Sequence, residues 1–292
     1  MTAAVALQLL VAGLSTGSIY ALVALGLVLV FKGTGVVNFA QGEFVTLGAY
    51  TALFLSVFTP LPYAAVFVLT VLLAGAVGMA IERGLLRPLI RAPAFTVVIA
   101  TLAIGLMIKN ALRLAWQEPV STLPTPFSSD PIALGPLRIN PQYLWVIGCS
   151  LLLMGLLVVF FRASRLGKAM RAVAQNQDAA RLMGIPVGRI YSITFGVATA
   201  IAAIAGVLFA PLIGIEAEMG GVIIKGFVAA IVGGFSSLTG AVVSGLLIGV
   251  IEAFGGAYFG GIFKNVVAFA ILIAVLLLRP HGLFGRAEAH RV

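Results

Sequence analysis

Residues 4–31 include no charged side chain, and comparable apolar runs recur along all 292 residues. A helix crossing the hydrocarbon of a bilayer needs about 20 predominantly apolar residues, and these runs supply them. Inside hydrocarbon every backbone N–H and C=O must find a partner within the protein, so a spanning segment is either a helix or part of a closed barrel. Barrel strands alternate apolar and polar residues, whereas these runs are continuous. A soluble domain carries roughly a quarter charged residues; here the charged share is 9% against 61% hydrophobic. The fold class that satisfies this constraint is all-α, a polytopic transmembrane helical bundle forming one domain over 1–292.

The runs divide into about eight to nine membrane segments, at 5–31, 41–58, 63–82, 95–116, 143–161, 190–212, 222–232, 241–254 and 262–278. The proline-rich stretch at 117–142, carrying Glu118 and Asp130 against Arg138, reads as a loop too polar to embed. Basic residues concentrate at Arg83, Arg87 and Arg91, between Arg162 and Arg189, and around Arg279. Counting crossings brings all three groups to one side, which the positive-inside bias makes cytoplasmic, with the N-terminus outside and the C-terminus inside. Segment 222–232 is too short to cross unaided and reads as a half-helix or a re-entrant piece. The first run has no basic residue before it and is longer than a signal-peptide core, so it is expected to be a retained span.

The net charge of +9 does not point to nucleic acid, because it sits between spans and is not interleaved with aromatics. The single cysteine, Cys149, excludes an internal disulfide framework. His281 and His290 have no Cys or carboxylate companions at ligand spacing, so no metal site is expected, and no Gly-x4-Gly-Lys-Ser/Thr phosphate loop occurs. No cofactor is therefore expected, and the chain is not expected to be an enzyme.

The most informative stretch is the basic segment at 162–189. Lys168, Arg171, Gln175 and Asp178 recur at spacings of three and four and make a polar helical face, while Met170, Val173, Ala174, Ala180 and Met183 make a small apolar stripe. The helix should stop near Gly184, since Pro186 cannot continue it. A short amphipathic cytoplasmic helix follows, and three readings stand beside one another. It is a solvated loop, it lies on anionic lipid, or it docks into a groove on a cytoplasmic partner. Alanines and methionines suit a protein groove better than a membrane surface, where Trp, Phe or Leu would be expected.

Gly167, Ala169, Arg171, Ala172, Ala174, Asn176, Ala180, Gly184 and Ile185 form a pattern that resembles the coupling loop of the permeases of branched-chain amino acid ABC transporters, LivH type. Asn38 to Phe44 (NFAQGEF) with Leu47 to Tyr50 (LGAY) resembles the N-terminal signature of the same family. So do Glu82-Arg83 followed by Arg87-Pro88-Leu89, the run from Gly233 to Ala241, and Arg279 to Gly285. The matches keep their order and cover nearly the whole chain. The resemblance implies a permease subunit in a bacterial inner membrane, paired with a second related permease, two cytoplasmic ATPase subunits and an extracytoplasmic solute-binding protein. It implies that Gly167, Lys168, Arg171, Ala172, Gln175, Asn176, Asp178, Gly184 and Ile185 meet the ATPase. The implied cargo is a branched-chain or related amino acid, with amides and urea as alternatives.

Asn38, Gln41 and Glu43 stand between greasy sequence on both sides. A charge at the bilayer centre costs a few kcal/mol, so an intramembrane acid is a functional hypothesis by default. Two readings of these residues stand. They cap a helix start near the interface, where an acid suits the macrodipole, or they line a translocation route at a helix that begins inside the bilayer. In the second, Glu43 would pair with a base such as Lys32. Lys109 and Arg113, four residues apart on one helix, are expected to snorkel. Glu252 and Lys264 flank a glycine-rich turn and are candidates to pair across it. Glu216 and Glu218 are expected where a binding protein would dock. Glycine pairs such as Gly13/Gly17, Gly245/Gly249 and Gly256/Gly260 have the spacing for close helix approach. An ion-coupled secondary transporter would instead show acids in several helices and inverted internal repeats, and no repeat is visible in the sequence. A channel or scaffold would have no need of the amphipathic segment.

Overall fold

The structure, a computed structural model, describes residues 3–89, 92–116, 120–127, 130–134, 137–261 and 263–285. Arg91, Glu118, His290 and the side chain of Lys264 lie outside the described residues.

Two long helices form the centre. Helix α1 (Ala3–Thr34) is apolar on every side and buried continuously from Gly17 to Val30, as a core helix must be. Helix α8 (Val187–Ile213) is its counterpart. Each is clasped by an antiparallel neighbour through glycines: α1 by α10 (Leu238–Phe259), and α8 by α3 (Tyr63–Ile81). A Cβ built on Gly249 would lie 2.2 Å from the Gly17 Cα, and one on Gly78 would lie 2.3 Å from the Thr199 hydroxyl oxygen. Without a hydrophobic drive between helices in lipid, such close backbone approach is the principal source of attraction.

After α1 the chain turns at Gly35 (φ +75°) and returns into the bundle, where α2 (Gln41–Phe58) begins. After α8 it turns at Gly214 (φ +85°) and returns likewise to α9 (Val222–Gly233). Both turns need the left-handed backbone that glycine adopts freely. Helix α2 then runs parallel to α8, with Gln41 beside Ala198 and Val45 beside Gly206. Helix α9 runs parallel to α1, with Gly226 beside Val23 and Phe235, just past its end, against Phe31. The order long helix, glycine turn, half-helix, clasping helix thus occurs twice, in opposite directions along the bundle. The sequence shows no repeat, yet the structure holds an inverted one, because the two halves share geometry without sharing side chains.

Around this centre lie α4 (Ala94–Ala115), α5 (Pro141–Ala163) and α11 (Phe263–Leu278). Only 17% of the most apolar window of α4 and 22% of that of α5 is buried, against 83% for α1, so their outer faces are free for lipid or a partner. The loop before α5 carries a small antiparallel hairpin, β1 (Ile132–Leu134) with β2 (Leu137–Ile139), which the sequence reading did not anticipate. At the other end of the bundle, α6 (Arg165–Gln175) and α7 (Gln177–Leu182) join α5 to α8.

Six described helices, α1, α3, α4, α5, α8 and α10, are long and apolar enough to cross a membrane. The expected count of eight to nine exceeds this. Helix α2 opens with Gln41 and Glu43, and α9 and α11 are shorter apolar helices. The expected last-but-one span, 241–254, is longer in the structure, because Ser237 caps α10 by accepting from the Gly240 N–H at 3.0 Å.

Candidate functional site

The starts of α2 and α9 meet inside the bundle. Gln41 is fully buried and donates from Nε2 to the Ala198 carbonyl of α8 at 3.0 Å, beside Gly26 of α1. Gly26 lies eight residues before the end of α1, or about 12 Å along the axis. Asn38 closes the returning segment: its Oδ1 accepts from the Ala40 N–H at 3.1 Å, and the Phe39 N–H donates to the Thr101 hydroxyl at 3.2 Å. The helix start has no side-chain cap. Helix α2 thus starts within the protein, with Gln41 buried against α8.

A Cβ on Gly42 would lie 2.2 Å from the Gly220 carbonyl oxygen, so the two half-helices touch backbone to backbone. A Cβ on Gly220 would lie 2.4 Å from the Glu43 Oε1, which places the carboxylate against the short 3-10 turn Met219–Gly221 that leads into α9. Its Oε2 is buried with no hydrogen-bond partner among the described residues. A helix N-terminus presents unpaired N–H groups and partial positive charge, so two of them converging beside a carboxylate make a polar point within apolar sequence.

The neighbouring charges come from α4 and not from Lys32. Lys109 and Arg113 both hold Glu218, just before the 3-10 turn, in ion pairs. They were expected to snorkel; instead their four-residue spacing lets one acid bridge them. Glu216 lies earlier on the returning segment, next to Ile215, which pairs with Ser121 through backbone hydrogen bonds in both directions. Asn38, Gln41, Glu43 and Glu218 are thus drawn to one region, with Lys109 and Arg113 as members that the sequence reading put elsewhere. Lys32 sits at the far end of α1, at the mouth of a cavity shared with Arg171.

Two further buried acids are each matched with a base. Glu252 pairs with Lys225 at 3.2 Å, joining α10 to α9. Lys225, carried on the half-helix, thus reaches the carboxylate for which Lys264 was the candidate; the Lys264 side chain lies outside the described residues. Glu82, fully buried at the end of α3, accepts from Arg87 through both oxygens at 3.2 and 3.1 Å and from the Ser192 hydroxyl of α8 at 2.6 Å. One wide turn over Glu82–Leu86, with i to i+5 hydrogen bonding, folds Arg87 back onto its own chain. In the sequence these arginines serve as topology markers and as part of the family resemblance, and neither reading pairs Arg87 with Glu82. An acid, Glu82, directly after an apolar span and five residues before an arginine was the available signal.

The basic segment is two helices rather than one. Asn176 breaks it: its Oδ1 accepts from the Asp178 and Ala179 N–H groups at 3.0 and 2.9 Å, capping α7. Gly167 lies tight against the end of α5, where a Cβ would sit 2.6 Å from the Phe160 carbonyl oxygen. Gly184 (φ +77°) and Ile185 close α7, their N–H groups donating to the Arg181 and Ala180 carbonyls at 3.0 Å each. Met170, Val173 and Ala180 are buried against the bundle, while Ala172 is half-buried. Lys168, Arg171, Ala174, Gln175, Asp178, Leu182 and Met183 are exposed, Asp178 pairing with Arg181 at 3.3 Å. The expected apolar stripe therefore splits, part of it holding the segment to the bundle and part facing outward.

The family model described as branched-chain amino acid transport system / permease component matches residues 9–276. The chain is 36% identical to the high-affinity branched-chain amino acid transport system permease protein BraD of Pseudomonas aeruginosa, covering 98% of each. It is 34% identical to the corresponding LivH of Escherichia coli, covering 98% of this chain and 97% of that one. Among solved structures, PsaBC from Streptococcus pneumoniae in complex with Fab matches with a TM-score of 0.53 at 14% identity, over 94% of this chain and 92% of the other, which supports the fold alone. The chain belongs to the family of permease components of branched-chain amino acid transport systems.

Proposed function

We propose that this permease carries branched-chain or related amino acids across the bacterial inner membrane as one of two membrane subunits of a binding-protein-dependent ABC importer. The observation that carries the reading is the meeting of two half-helix starts inside the bundle, beside Glu43. Discontinuous helices of this kind supply polar backbone at membrane depth only where it is buried in protein or lines a pathway. Asn38, Gln41 and Glu43 line that pathway, with Lys109 and Arg113 facing it from α4. The charged face formed by Lys109, Arg113 and Glu218 would be costly against lipid, so the second, related permease subunit covers it.

Helices α6 and α7 are the coupling segment that meets the cytoplasmic ATPase subunits. The groups it offers them include Lys168, Arg171, Gln175 and Asp178, and Gly167, Ala172, Asn176, Gly184 and Ile185 set its shape. The end of the bundle that carries them is the cytoplasmic one, with the N-terminus outside and the C-terminus inside. Helices α2, α9 and α11 complete the membrane segments beyond the six long spans. Glu216 lies on the segment that returns from the outer end, where the solute-binding protein docks, while Glu218 is taken up by Lys109 and Arg113. ATP hydrolysis belongs to the partner subunits.

The test is uptake by the complete importer in vesicles. Transport should need ATP and the binding protein, Glu43→Gln should slow it without preventing assembly, and scrambling the exposed residues of α6 and α7 should stop it. Gradient-driven uptake by this chain alone would favour an ion-coupled transporter. That rival gains something from the inverted halves and the buried acids, so the driving force, and not the architecture, separates the two. Retention of an amide or urea by the cognate binding protein would redirect the cargo without changing the mechanism.

A further inference from the structure

We propose that the cleft beneath α6 binds an anionic phospholipid, its phosphate held by Lys32 and Arg162 and an acyl chain lying between α1, α5 and α10. The cleft is a cavity of about 670 Å³ between the ends of α1, α5 and α8 and the inner side of α6. Three cations line it, Lys32, Arg162 and Arg171, and no carboxylate does. None of the three makes an ion pair among the described residues. Gathered at one mouth without a counter-charge, they are complementary to a phosphate.

The lipid character comes from a second cavity. A slot of about 210 Å³ shares Leu29, Val158, Phe161, Leu238 and Thr239 with the basic cleft and continues up between the helices toward Leu25 and Val243. It contains no charged residue. The helix on its outer side, α5, is peripheral, and Gly155, part of the lining, is exposed on it. A small soluble anion has no use for the slot. A phospholipid uses both parts, because its charge and its chain are joined at the spacing that a headgroup region and hydrocarbon impose. Basic pockets between membrane helices on the cytoplasmic side have this selectivity for anionic headgroups. The site rests on the reading that puts α6 at the cytoplasmic face. Met170 and Arg171 of α6 line the cleft, so a bound lipid would sit between the bundle and the coupling segment.

The experiment uses the assembled importer, purified with its partner subunits, and measures by native mass spectrometry how much added phosphatidylglycerol stays bound. Two kinds of variant act independently: Lys32→Gln with Arg162→Gln removes the charges, and Gly155→Leu grows into the slot, where a Cβ meets nothing within 4 Å. Each cation near the membrane surface contributes about fivefold to anionic lipid binding, so the double variant should retain about 25-fold less. Gly155→Leu should also lower retention, Lys32→Arg with Arg162→Lys should restore it, and phosphatidylcholine should not be retained. Equal retention by the variants, or equal retention of phosphatidylcholine, overturns the proposal. Displacement of the lipid by inorganic phosphate with no effect of Gly155→Leu also overturns it, in favour of a small-anion site. Retention needs no transport, so a failure of the importer reading in the uptake assay leaves this result separately readable.

Discussion

The clamp at the end of α3 makes an asymmetric prediction. Glu82 has a side-chain exposure of 1%, while its partner Arg87 retains 42%. Arg87→Met strips the cation from a carboxylate that cannot reach water, and breaking a buried pair from that side costs about 3–5 kcal/mol. Glu82→Gln removes the buried charge itself. It leaves a guanidinium that can turn toward water and still donates to the Gly188 carbonyl at 2.7 Å, so the loss is about 1–2 kcal/mol, that of altered hydrogen bonds. The two single variants should therefore differ by roughly 2 kcal/mol or more in the stability of the purified importer. The double variant should be more stable than Arg87→Met alone, because its second change removes the stranded charge. Thermal unfolding of the four proteins in one detergent reads all of this. If Glu82→Gln proved as damaging as Arg87→Met, or the double variant the sum of both, the idea of a buried acid depending on its base would be wrong.

At the meeting of the half-helices, Gly220→Ala should sharply reduce uptake, since a Cβ there collides with the Glu43 carboxylate, whereas Gly221→Ala, with nothing within 4 Å, should transport normally. In the basic segment, Asn176→Ala removes the cap of α7 and Gly184→Ala strains a positive φ; each should cost about 1 kcal/mol locally. Both should weaken binding of the isolated ATPase subunit to the permease, measured by co-purification.

The outline of this fold was legible because apolar length is local information. The runs that became α1, α3, α4, α5 and α8 could be placed from their hydrophobicity, and Gly184 with Pro186 gave the end of α7. The broken helices were half legible. Segment 222–232 is visibly too short, whereas for α2 a full span and a start inside the bilayer both stay open, because Phe44 to Phe58 is as greasy as its neighbours. The better signal was the pair of glycines after the long helices, Gly35 and Gly214, whose positive φ turns the chain back into the bundle. Ion pairs were the least legible. Glu43 was offered Lys32 because the two are close in sequence, yet they lie at different depths. Glu252 took Lys225 because α9 packs against α10, which no spacing in the sequence reveals. The single basic helix became two because the Asn176 side chain competes with the backbone for the Asp178 and Ala179 N–H groups.

Gly42 and Gly220 let the backbones at the tips of α2 and α9 touch, with the Glu43 carboxylate packed beside them. The rods behind these tips point to opposite faces of the bundle, so neither tip can advance without displacing the other. Retreat of one leaves room on its own side only. Because backbone meets backbone there, a displacement of either tip toward the other has no soft side chain to absorb it and must be passed on.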